Sequence, residues 1–89
     1  MYNNSAFTPA ENAQANAWDK YSTIVHAAHI AAAEARETLR AEAYARLPKG
    51  QNCPTSAEFD AIRERCLAEF NRVEAAARAE YEPYRIAAQ

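Results

Sequence analysis

Apolar residues recur at steps of three and four along most of this chain, in two runs separated by one short interruption. In the second run the row is Phe59, Ile62, Cys66, Phe70, Val73, Ala77, Tyr81 and Tyr84. In the first it is Ala10, Ala13, Ala17, Tyr21, Ile24, Ala28, Ala32, Ala35, Leu39 and Ala43. Both rows follow an eleven-residue repeat, which predicts nearly straight or slightly right-handed helix packing rather than a strict heptad zipper. Small residues of the first row oppose bulky residues of the second, which permits close approach of the two axes.

The boundaries follow from capping chemistry. Residues 1–8 have no helical pattern and are expected to be flexible or loosely docked. Thr8-Pro9-Ala10-Glu11 reads as a capping box with proline in the first turn, and Phe7 stands at the stapling position. From Pro9 the helix is predicted to run to about residue 47. Ser22-Thr23-Ile24-Val25 is its weak point, because β-branched residues cluster there; a break at that place is the alternative. Residues 48–54 form the loop. Thr55-Ser56-Ala57-Glu58 reads as a second capping box and opens a helix over about 56–82, which Pro83 kinks or ends.

The short loop makes the helices antiparallel. The predicted fold is therefore all-α: an antiparallel helical hairpin over 9–89, with a long first helix and a shorter second one. Pairing outward from the loop puts Leu39 near Arg63, Ala28 near Glu74 and Tyr21 near Tyr81. Trp18, Tyr21, Tyr81 and Tyr84 then meet at the open end, and residues 1–17 overhang. Tyr21 to Ala33 carries no Asp, Glu, Lys or Arg, in a chain that is 25% charged. The first helix has a second row there, Trp18, Ser22, Val25, His29 and Ala33, with His26 beside it. That row is expected to point away from the second helix and to form an interface. A lone two-helix hairpin buries little apolar area, so dimerisation to a four-helix bundle is the simplest completion.

Composition changes this picture only by exclusion. The 89 residues fit one domain, and a single glycine among many alanines agrees with helix. A formal charge of −2 gives no general attraction to nucleic acid or to an anionic membrane. The charge-free run is too short to span a bilayer, and the N-terminus lacks the pattern of a signal peptide. A cytoplasmic location is expected, so the glycosylation sequon Asn3-Asn4-Ser5 carries no weight. Cys53 in the loop and Cys66 three turns into the next helix are too far apart for an intrachain disulfide.

Candidate chemistry is sparse. His26 and His29 share a helix face and are weak metal candidates; Cys66 is the one soft ligand nearby, and further donors have to come from another chain. Cys53 precedes a helix start, where a thiol becomes more reactive, but an ordinary loop cysteine explains it as well. No nucleophile–base–orienter set and no glycine-rich phosphate loop exist, so no catalytic residue and no cofactor is expected. Most arginines are spaced for intrahelical pairing, as Glu37–Arg40, Glu42–Arg46, Arg65–Glu69 and Glu74–Arg78. Arg36 and Arg40 instead continue the row of Trp18, Val25 and His29, and that mix of aromatic, histidine and arginine suits a protein-binding hot spot. The sequence reads as a small non-enzymatic interaction module. It is expected to form a homodimer, to bind a larger protein through Trp18, Ser22, Val25, His26, His29, Arg36 and Arg40, and to suit a phage-type inhibitor working by steric occlusion. A self-assembling structural subunit, and a metal- or ligand-binding bundle using His26 and His29, are the alternatives.

Overall fold

Thr8 starts the first helix as its sequence requires. Its hydroxyl accepts from the Glu11 backbone N–H at 3.1 Å, and the Glu11 carboxylate accepts from the Thr8 N–H at 2.9 Å. The structure, a computed structural model, describes residues 3–89. It is an all-α helical hairpin of α1 (Pro9–Ala45) and α2 (Ser56–Ala87). Its Cα atoms span 67 × 19 × 12 Å.

α1 is unbroken through Ser22 to Val25. β-Branched residues cost a helix only a few tenths of a kcal/mol each, roughly 0.7 at most, and an alanine-rich stretch follows from Ala27. Thr23 also donates its hydroxyl to the Asp19 carbonyl at 2.9 Å, while Ile24 and Val25 are half-buried. Beyond Ala45 the Arg46 N–H is shared between the carbonyls of Glu42 and Ala43, which tightens the last turn. Pro48 then bars a helical Leu47. In the turn that follows, Gln51 N–H reaches the Pro48 carbonyl at 3.1 Å, and Gly50 takes φ +95°, the conformation a type II turn demands at its third residue.

α2 opens with half of the expected capping box. Thr55 accepts from the Glu58 N–H at 3.2 Å, but the Glu58 carboxylate lies 3.4 Å from the Thr55 hydroxyl instead of bonding the Thr55 N–H. α2 also runs through Pro83 to Ala87, five residues past the expected end. Proline removes one hydrogen bond; the Glu82–Arg85 ion pair spans it, and Arg85 and Ala88 beyond it are half-buried. With α2 extended, residues 13–17 are not left overhanging. Gln14 donates to the Tyr81 hydroxyl at 3.1 Å, and Ala13 and Ala17 share a cleft with Pro83 and Tyr84.

At the N-terminus Met1 and Tyr2, part of the segment expected to be flexible, lie outside the described residues. Asn4 to Phe7 form a turn, and Asn4 and Asn12 exchange two hydrogen bonds of 2.8 and 3.1 Å.

The expected facing rows do meet, with two exceptions, Ala35 and Tyr84, which are exposed. Ala28, Ala43, Cys66 and Ala77 are the buried apolar centre of the contact, Ala43 at 2% exposure. Tyr21, Ile24, Ala32, Leu39, Phe59, Ile62, Phe70, Val73 and Tyr81 are half-buried around them. Ala35 is exposed and edges an open groove of about 710 Å³ with Leu39, Cys66 and Ala68. No large side chain among the described residues is fully buried, so this core is a seam of small groups rather than a filled interior.

Candidate interaction surface

Three cross-helix pairs define one broad side of the hairpin. The Trp18 ring centroid lies 5.4 Å from that of Tyr81, His29 lies 4.3 Å from Phe70, and the Arg40 guanidinium sits 5.4 Å over the Phe59 ring. Residues 18, 29 and 40 are eleven apart on α1, and 59, 70 and 81 are eleven apart on α2. Eleven residues bring a helix back to nearly the same azimuth after three turns. The pairs therefore stack as rungs on one face, about 16 Å apart along the axis.

This arrangement corrects the expected direction of the second row. Trp18 and His29 do not point away from α2 but lie on its aromatic rings. Trp18 also packs 5.4 Å from Tyr21, which stacks on Tyr81 at 5.7 Å. The expected aromatic cluster is thus formed by Trp18, Tyr21 and Tyr81, while Tyr84 sits beside it in the neighbouring cleft. Ser22 and Val25 are half-buried between the rungs, and His26 is exposed and outside them. Apolar area nevertheless stays open: Trp18 is 53% exposed and Leu67, three residues before Phe70, also 53%.

Charge along the hairpin is uneven. Of the intrahelical pairs expected from spacing, only Glu74–Arg78 forms. Glu69 goes to Arg72 instead of Arg65, and Arg63 goes to Asp60 at 2.9 Å. Neither Glu37–Arg40 nor Glu42–Arg46 closes, so among the described residues Arg36 and Arg40 hold no carboxylate. Together with Phe59, Ile62 and Arg63 they line a cleft of about 240 Å³. At the other end Glu74 accepts from Arg78 and, at 3.0 Å, from the Tyr21 hydroxyl. Those bonds hold the Glu74 carboxyl below its usual range, the arginine first, and raise the Tyr21 phenol.

The remaining candidates are not gathered into a site. Cys53 and Cys66 are both free thiols, one exposed and one buried. Cys53 contacts the Tyr44 hydroxyl at 3.8 Å, a hydrogen bond that raises the Tyr44 pKa. Among the described residues no group of three or more His, Cys, Asp or Glu side chains is placed to hold a metal ion. A metal at His26 and His29 needs donors from outside this chain. No helix of the described residues is long and apolar enough to cross a membrane.

The α1 members of the rung face were legible as a row, and Tyr81 as a partner of Trp18 and Tyr21; Phe59 and Phe70 were read only as members of the α2 seam. Their signal was in the sequence, since every third member of the α2 row is aromatic at eleven-residue spacing. Comparison with protein-family models, with curated proteins and with solved structures finds no match for the chain.

Proposed function

We propose that this protein is a non-enzymatic protein–protein interaction module that works by laying its rung face against another protein surface. The observation that carries this reading is the imbalance of burial. The apolar centre consists of three alanines and a cysteine, while Trp18, Leu67, Ile30 and Ile86 remain about half-exposed or more. A chain this small needs more burial than that to be secure, and a partner supplies it. The rung face offers what binding energy concentrates on: an indole, an imidazole on a phenyl ring, and guanidiniums without carboxylates. Any effect on a larger partner then comes from covering its surface, which is steric occlusion rather than chemistry.

A photoreactive side chain at position 67 tests the reading in cells that produce the protein. Leu67 borders the rungs, and Ala68, in the groove with Cys66, serves as the control. A defined cross-linked band from 67 and not from 68 is expected. No band from 67, or equal labelling from both positions, overturns the reading.

A further inference from the structure

The rung face is nearly its own mirror in sequence spacing. Counted from His29, Val25 and Ala33 lie four residues away on either side, Ser22 and Arg36 seven, and Trp18 and Arg40 eleven. On α2, Phe59 and Tyr81 lie eleven residues either side of Phe70. A twofold axis through the middle rung therefore exchanges the two outer rungs. One outer rung is aromatic, Trp18 on Tyr81; the other is cationic, Arg40 over Phe59 with Arg36 beside it.

Resting on the reading of this face as an interaction surface, we infer that its occupant is a second copy of the chain. The two hairpins pack face to face with their loops at opposite ends, and Trp18 of each enters the Arg36–Arg40–Phe59 cleft of the other. A twofold interface requires each patch to complement the patch it is exchanged with. Here an exposed indole meets guanidiniums that hold no carboxylate, the pairing that cation–π attraction favours. His29 and Phe70 lie at the axis; on α1 the axis falls inside the charge-free stretch from Tyr21 to Ala33, and on α2 Glu69 beside Phe70 is already paired with Arg72. Arg63, the third cation at the cleft, is already paired with Asp60. The alternative stacking, with both loops at one end, sets Arg36 and Arg40 against the same cationic rung of the other copy.

The area suffices. His29 lies within two residues of the midpoint of α1, so antiparallel overlap uses almost the whole 67 × 19 Å face. A standard interface takes about 800 Å² from each partner. The result is a four-helix bundle in which helices of opposite copies cross antiparallel.

Sedimentation equilibrium of the reduced wild-type protein, joined to disulfide trapping in a Cys53→Ser background, tests the inference. Twice the chain mass is expected. An equimolar mixture of Val25→Cys and Ala33→Cys chains is expected to cross-link to each other faster than either chain to itself. Arg36→Glu, at a residue with no ion pair in its own hairpin, is expected to keep its helical circular dichroism while weakening the dimer by about 30-fold. A monomer up to high concentration overturns the second copy as occupant; if position 67 still cross-links to another protein, the interaction reading stands without it. A dimer in which Val25→Cys or Ala33→Cys self-links faster overturns the antiparallel register. A silent position 67 in a monomeric protein removes both.

Discussion

The imidazole of His29 lies tilted on the ring of Phe70, with centroids 4.3 Å apart, and this contact joins the middle of α1 to the middle of α2. It follows that His29 serves the hairpin as well as any outer surface. Phe70→Ala is expected to cost about 2 kcal/mol, below the usual range for a fully buried phenylalanine because Phe70 is only half-buried. His29→Ala should cost about 1 kcal/mol, and the double variant less than the two together. Urea denaturation at a fixed protein concentration measures all three; strict additivity means that the rings do not interact.

Ala43 is the most buried of the four core residues, at 2% exposure, and sits near the loop end of α1. Ala43→Leu is expected to force them apart and to destabilise by about 1–3 kcal/mol. Ala41→Leu, on the exposed side of the same helix, should change little. Equal melting temperatures for the two variants refute the assigned contact face.

Acid is expected to loosen the hairpin through three glutamates. Glu74 is held low by Arg78 and then Tyr21, Glu69 by Arg72, and Glu82 by Arg85. A carboxylate with a depressed folded pKa contributes stability above its unfolded value, and that contribution is lost as pH falls through the folded value. The melting temperature should therefore hold steady down to the ordinary carboxylate value of 4.5 and fall below it. Glu74→Gln is expected to shrink that fall. At the alkaline end Tyr21 acts in the opposite sense. Its phenol, raised chiefly by the bond it donates to Glu74, contributes stability that is complete below pH 10.0 and is lost as pH rises through the folded value. Tyr21→Phe should flatten the alkaline limb. A melting temperature independent of pH on both sides contradicts these assignments.

Gly50 is the one described residue with positive φ, at +95°, and a Cβ there meets nothing within 4 Å. Gly50→Ala is thus a test of backbone strain alone. A loss of about 1–2 kcal/mol is expected, with unchanged helical content. No loss means that the turn relaxes to another conformation.

Much of the fold was legible because its signals are local. Thr8 with Glu11, the Pro48–Gly50 break and the eleven-residue rows each depend on neighbours in sequence, and they gave the hairpin and the level at which Tyr21 meets Tyr81. The direction of the second row was misread because a position a quarter-turn from the seam can lean toward the partner helix or away from it. Phe70 decides this for His29, and Phe70 is distant in sequence. The ion pairs failed for a related reason: Glu69 has arginines within reach in both directions, Arg65 and Arg72, and spacing alone does not choose between them. Pro83 was read as a kink or an end because its local effect is unfavourable, whereas α2 runs on to Ala87, with Arg85 and Ala88 half-buried.

The eleven-residue rungs also constrain how such a chain can change its length. Adding or deleting a few residues in one helix rotates every later side chain off the face and shifts it against its partner. Adding eleven residues to each helix inserts one whole rung and leaves the others aligned. Length in a lineage built this way is therefore quantised: viable relatives should differ by matched blocks of eleven in both helices, and single-residue indels should be confined to the loop and the ends.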